Sequence, residues 1–350
     1  MQRESFDRKR GEADSAKAAA AGGRAGSPAR RARRGTPPPA PPGASLQAVD
    51  IEGDIARTMH WRGRALAARL SPDGDAARLL ESLLGLNVSK VRQPPAAAQR
   101  ALAVARDENS SFDRLAELFE NDPALTQALL QQANSAFYAV SSGPCLSIRS
   151  AIQRLGLRGV ESVLMIAIVR GTLCQPGPRY QSRADAIWHR MTRTAPLARA
   201  LASAFRIDPE EAFALGLLHD IGELMLFDHI AMLREDWKRE LSLEDASLDR
   251  MLTGLHEAVG ALAALRWGMG VGAAQAILWH HRSPAPGAPD LRSEMLYVAD
   301  QLERARAQHS PIAIESWIEH GSLTVLAEPL DEAITRLAES EAEGPSSQAA

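Results

Sequence analysis

Cysteine is scarce: Cys145 and Cys174 are the only two in 350 residues. That is too few for a disulfide framework or a cysteine-built zinc site, and it points to two ordinary thiols in a reducing compartment. Long apolar runs are missing too. The longest strongly apolar stretch, residues 163–169, falls far short of the ~20 residues a membrane span needs. The opening MQRESFDRKRGEADSAK has no apolar centre, which excludes a secretory signal. No charge sign dominates. Lys and Arg number 40 against 43 Asp and Glu, a net charge of −3, so nothing global directs the chain to nucleic acid or lipid. A cytoplasmic protein without membrane contact is the expectation.

The two-residue alternation of a half-buried strand is absent, and no fixed-period repeat stands out. Helical spacing is what remains, and the class it predicts is all-α. Residues 1–45 hold almost no large apolar side chains and read as a disordered, basic, Pro/Ala-rich tail. Its Arg30, Arg31, Arg33 and Arg34 could touch an acidic partner or, weakly, nucleic acid; the plainer reading is a solvated segment with no defined ligand. Residues 46–92 read as a small helical extension. Ile51, Ile55 and Met59 recur at four-residue steps, and Leu79, Leu80, Leu83 and Leu84 form a second stripe after the SPDGD turn.

The main domain is predicted over 93–308, with a C-terminal helix and frayed tail over 309–350. Asp122-Pro123 has the form of a helix start, with a capping carboxylate followed by a residue suited to the first turn. Ile148, Ile152 and Leu155 predict a short helix ended by Gly156. Val160, Val163, Leu164 and Ile168 predict a central helix that is apolar almost all round. Further helices are expected over 184–205, 209–219, 246–266, 271–281, 291–308 and 326–340.

Chemistry concentrates in histidines and aspartates set among apolar residues. His219 and Asp220 are adjacent within GLLHDIG. His256 and His280-His281 follow, and Asp300 sits in YVADQL. Imidazole and carboxylate are the usual ligands of borderline divalent metals. Neighbours on a helix diverge by about 100°, so His219 and Asp220 converge on one ion only where a helix ends, with other ligands supplied by separate helices. Each residue alone has a plainer reading, as a hydrogen-bonded core histidine or a surface aspartate. The chain has no Walker-type phosphate loop and no nucleophile elbow. GMGVG at 268–272 follows a helix rather than a strand, which defeats a dinucleotide-binding reading.

The order His189, His219-Asp220, His256, His280-His281, Asp300 on successive helices resembles the HD superfamily of metal-dependent phosphohydrolases. Residues 112–156, with their DPAL and ANSAFY strings, and residues 213–224, 256–268 and 277–284 are similar to the HDOD family. The resemblance covers about 95–305. It implies an HD/HDOD-like helical bundle in which His219, Asp220 and Asp300 match HD-type ligand positions. His256 and one of His280 or His281 match the extra positions of two-metal relatives. The candidate metal set is therefore His219, Asp220, His256, His280 and Asp300.

Two departures stand out. Relatives place the first ligand two residues after a tryptophan; after Trp188 that position is Arg190, which offers a metal no lone pair. His189 is turned about 100° away and could substitute only after a local helix shift. The Gly-Tyr-Pro element of the cyclic-dinucleotide phosphodiesterases is also missing, since Arg282, Ser283, Pro284, Ala285 and Pro286 follow the histidine pair. The resemblance then implies a non-catalytic signalling module acting through an unidentified protein partner. No cofactor is expected, though a divalent metal has room to bind. A metal-dependent phosphohydrolase and a nucleotide-sensing module are the alternatives. Without a metal, Arg190 is predicted to face Asp220 or Asp300 and to supply the missing positive charge.

Overall fold

The computed structural model describes residues 50–94, 96–107, 111–135, 138, 143–173, 176–281, 290–321 and 323–342. The basic tail with Arg30, Arg31, Arg33 and Arg34, Cys174, residues 282–286 and the last eight residues lie outside them. The described residues form helices and contain no strand.

Helix α1 (Ile51–Ala67) and α2 (Asp75–Leu84) form the extension, and a single tight turn follows at Val88–Lys90. The apolar stripes bury as expected: Ile51, Ile55 and Met59 from α1, and Leu79, Leu80 and Leu83 from α2, join the main core. Asp75, at the first position of α2, accepts from both terminal nitrogens of Arg239 at 2.7 and 2.5 Å and from the Ser242 backbone N–H at 2.7 Å. The extension is thus tied to the chain 164 residues on.

Helices α3 (Ala96–Arg106), α4 (Phe112–Glu120) and α5 (Pro123–Ala133) lead to α6 (Ile148–Thr172). Asp122 caps α5 as its sequence suggests, accepting from the N–H groups of Ala124 and Leu125 at 2.9 and 3.1 Å. The short helix and the central apolar helix expected from the sequence are one kinked element. Gly156 interrupts α6 with φ of +66° and ψ of 177°, a conformation that L side chains rarely adopt, and the helix resumes past it.

The second half comprises α7 (Gln181–Leu201), α8 (Pro209–Leu218), α9 (Ile221–Trp237), α10 (Asp245–Arg266), α11 (Gly270–Trp279) and α12 (Leu291–Ala307). Asp208-Pro209 repeats the capping device of α5, with N–H donors from Glu210 and Glu211 both at 3.0 Å. Helices α7 and α8 pack against each other, and α10 packs against α9, α11 and α1. Helices α13 (Ile314–Gly321) and α14 (Ala327–Ala342) close a second apolar cluster with α7 and α12, centred on Leu201, Phe205, Leu302 and Leu330. Among the described residues no helix is long and apolar enough to cross a membrane.

Candidate metal centre

Helix α8 ends at Leu218 and α9 begins at Ile221, so His219 and Asp220 occupy the two-residue corner between them. The corner does what one continuous helix cannot: it turns two adjacent side chains toward one point. Gly222, just past the corner, admits the next helix. A Cβ there would fall on the His256 carbonyl oxygen and within 2.7 Å of the Gly260 nitrogen, so α9 and α10 cross backbone to backbone. That crossing carries His256 to Asp220. The carboxy-terminal end of α11 delivers His280 and His281, and α12 brings Asp300 alongside.

His219, Asp220, His256, His280 and Asp300 are all buried. Three imidazoles are held in one tautomer by their own helices. His219 Nδ1 lies 2.7 Å from the Gly216 carbonyl, His256 Nδ1 2.8 Å from Leu252, and His280 Nδ1 2.7 Å from Ile277. A carbonyl only accepts, so each Nδ1 carries a hydrogen and each ring turns its Nε2 inward.

Asp220 stands at the centre and uses its two oxygens differently. Oδ1 faces His256 Nε2 and His280 Nε2, each at 3.5 Å. His281 Nε2 lies 3.1 Å from His256 Nε2. The ligand atoms of Asp220, His256, His280 and His281 all fall within 4.8 Å of one another. Metal–ligand bonds of about 2.0–2.1 Å in a tetrahedron place neighbouring ligand atoms about 3.4 Å apart. The observed separations of 3.1 and 3.5 Å bracket that value. His219 Nε2, Asp220 Oδ1 and His280 Nε2 also have no hydrogen-bond partner among the described residues, although all are buried. Three imidazole nitrogens and a carboxylate oxygen converge, and once the proton between His256 and His281 is released they fit a borderline divalent cation.

The other carboxylate oxygen is already engaged. Arg190 Nε donates to Asp220 Oδ2 at 2.6 Å, and Nη2 of the same guanidinium donates to Glu223 Oε1 at 2.8 Å. His219 Nε2 approaches Oδ2 at 3.0 Å. The contact expected between Arg190 and Asp220 is therefore present, and Glu223 is a second partner that the sequence did not single out. His189 is exposed and takes no part. The residues do not fit a second cation on this side, because a guanidinium fills the position a ligand would need.

Three expected positions differ in the fold. His219 lies outside the four-residue group, with its Nε2 at Asp220 Oδ2 on the Arg190 side. Asp300 is set back from the four-residue group. Its Oδ2 lies 3.6 Å from His281 Nδ1, and its Oδ1 accepts from Arg304 Nε at 3.0 Å, so it stands behind His281 rather than beside Asp220. The choice between His280 and His281 is also resolved differently: both rings turn inward, their centroids 4.0 Å apart.

The charges are mutually adjusted. Burial opposes ionisation of Asp220, but positive charge on His219 and Arg190 outweighs it and holds the carboxyl well below the usual range. Burial and the Asp220 charge push Glu223 up, against Arg190. Burial depresses His280, yet Asp220 and Glu257 more than offset it and raise its pKa. Burial and the neighbouring His280 and His256 drive His281 well below its ordinary value.

A profile of the HDOD domain matches residues 91–283, more than half of the chain. A solved structure from Shewanella amazonensis SB2B, provisionally described as a phosphohydrolase, is similar at 23% identity with a TM-score of 0.55, covering 77% of this chain and 97% of that one. Another, from Marinobacter aquaeolei VT8 and provisionally described as a signal transduction protein, is similar at 21% identity with a TM-score of 0.52, covering 84% of this chain and 65% of that one. At these identities the likeness is one of fold. An uncharacterized protein of Treponema pallidum (strain Nichols) is 23% identical over 249 residues, 68% of this chain. The chain spans about half the length of that curated relative, 48%.

Proposed function

The chain belongs to the HDOD domain family, and from that premise we propose that it is a non-catalytic regulatory protein that works through contacts with other proteins. One observation carries the reading: the Arg190 guanidinium is bonded to Asp220 Oδ2 on the side where a first metal ligand would be required. Paired-metal hydrolysis needs two cations clamping one phosphoryl group, and a permanent cation of protein origin in one position leaves no coordination vacancy there for an attacking water. The guanidinium preserves the charge balance of the inherited centre without its open coordination sphere.

A second reading has its own support. The ligand atoms of Asp220, His256, His280 and His281 converge within 4.8 Å, and three of their separations, 3.1, 3.5 and 3.5 Å, lie near tetrahedral spacing. That favours a regulatory module that senses a divalent ion over one with an inert centre. A bound ion would stabilise the folded state selectively and could shift helix packing. Sensing of a nucleotide in the same pocket and metal-dependent phosphohydrolysis are the remaining alternatives.

The test is turnover by the full chain against phosphomonoester, phosphodiester and nucleotide substrates with Mn, Fe, Co, Ni, Zn and Mg in turn. No metal-dependent hydrolysis is expected. Robust turnover that disappears in D220A would overturn the regulatory reading.

A further inference from the structure

We infer that Arg62, on a helix outside the matched family region, is a positioning residue for the histidine centre. It acts through Glu257, so that docking of α1 on α10 and assembly of the centre are one coupled event. The inference deepens the regulatory reading and rests on it for its biological meaning, not for its geometry.

The buried positions of α1 are Ile51, Ile55, Thr58, Met59, Arg62 and Gly63, a helical stripe with a guanidinium in it. Such a charge is costly inside a protein unless it is paired. Arg62 is 7% exposed, and its Nη1 donates to the Gly254 carbonyl at 3.1 Å and pairs with Glu257 Oε2. Glu257 is itself 3% exposed and follows His256 directly in the chain. Burial opposes its ionisation, but Arg62 leads the charges that outweigh burial and hold the carboxyl low.

The second oxygen of Glu257 makes the connection. Oε1 accepts from the backbone N–H of His281 at 3.4 Å, at the end of α11 that presents His280 and His281. One carboxylate therefore joins α1 on one side to the histidine-bearing end of α11 on the other. It is anchored in α10 one residue from His256. If α1 lifts away, Glu257 is left as a buried charge without its counter-ion. It then regains a partner only by moving, which withdraws the acceptor from His281. Conversely, a formed centre fixes Glu257 where Arg62 can reach it, and the coupling is reciprocal.

The pair is also incompletely satisfied. Arg62 Nη2 is buried with no hydrogen-bond partner among the described residues. Buried pairs of this kind contribute little net stability, although losing one partner is expensive. That combination suits a latch better than a permanent joint.

The experiment uses the full chain and two readouts: amide hydrogen exchange of the metal-free protein, and titration with cobalt(II) followed by visible absorption. In R62M, exchange is expected to accelerate about tenfold in α1 and also around His280-His281, with cobalt affinity reduced about tenfold. In R62M/E257Q both should return to within about threefold of the parent, because the glutamine keeps an acceptor for His281 and removes the stranded charge. If R62M does not fold, R62K and the double variant carry the comparison, with R62K expected between the parent and full loss. The inference is overturned if R62M or R62K loosens α1 yet leaves His280-His281 exchange and cobalt affinity at parental values. It is equally overturned if the double variant is as damaged as the single. Hydrolytic turnover by the parent would defeat the regulatory reading and leave the exchange result standing. If the parent takes up no cobalt, exchange alone decides.

Discussion

Arg190 and His256 face opposite oxygens of one carboxylate: the guanidinium donates to Asp220 Oδ2 at 2.6 Å, and the imidazole Nε2 lies 3.5 Å from Oδ1. The carboxylate is thus divided between a permanent organic cation and a place for an inorganic one. The full chain should accordingly take up at most one equivalent of Co, Ni or Zn. R190H, which replaces the guanidinium with a ligand, should raise the limit to two. Elemental analysis after buffer exchange checks this, and two equivalents in the parent would contradict it.

Removal of the guanidinium without a replacement ligand should be costly. Arg190 is the counter-ion of both Asp220 and Glu223, and it is 25% exposed while Asp220 is 1% exposed. R190M leaves two acids together in a buried corner, and should lower unfolding stability by about 3 kcal/mol in the absence of metal. Urea denaturation measures the loss. A change below about 0.5 kcal/mol would mean that the pair contributes no more than a surface contact.

Gly222 offers a test of the helix crossing itself. Its missing Cβ admits the His256 carbonyl, so G222A forces α9 and α10 apart at the point where their backbones meet. The expected loss is about 3 kcal/mol, the upper range for overpacking, because a backbone group cannot swing aside. Thermal unfolding should show it, and cobalt affinity should fall with it. Unchanged melting would show that the crossing is looser than the contact implies.

Much of this arrangement is legible in the residues, for identifiable reasons. Asp122-Pro123 and Asp208-Pro209 act through local chemistry, and both start helices. His219, Asp220, His256 and His280 stand out because polar groups in apolar strings must find partners. Arg190 is visible as a charge in a ligand position. Glu223 lies one helical turn after Asp220 and therefore on its face, a spacing that is the sequence's one signal for it. Arg62 also left a signal, as a charge within the stripe of Ile51, Ile55 and Met59. Its pairing with Glu257 across 195 positions is set by tertiary packing and leaves no local trace. Helix α9 carries no amphipathic signal over residues 224–227, which are apolar on every face.

Acidification should weaken the contact between α9 and α2. His229 Nε2 lies 2.9 Å from Ser82 Oγ, and burial pushes its pKa below the ordinary value of 6.5. The folded state therefore favours neutral imidazole. The resulting stability is complete above about pH 6.5 and is lost as pH falls toward the depressed folded value, because the unfolded chain takes up the proton first. Between pH 7 and 5 the parent should lose stability more steeply than H229Q, by at most about 1.4 kcal/mol per pH unit. Urea midpoints across that interval provide the comparison. Equal slopes would remove His229 from the account.

The shared family region runs from residue 91 to 283, and buried residues on both sides of it belong to this molecule's core. Arg62 lies before its start, and Asp300, with the helix that presents it, lies after its end. A piece excised at those borders would lose the Leu79 and Leu83 wall on one side and the Leu302 wall on the other, baring two sticky faces. A transplant of the centre into another protein is therefore expected to need both flanking walls as well.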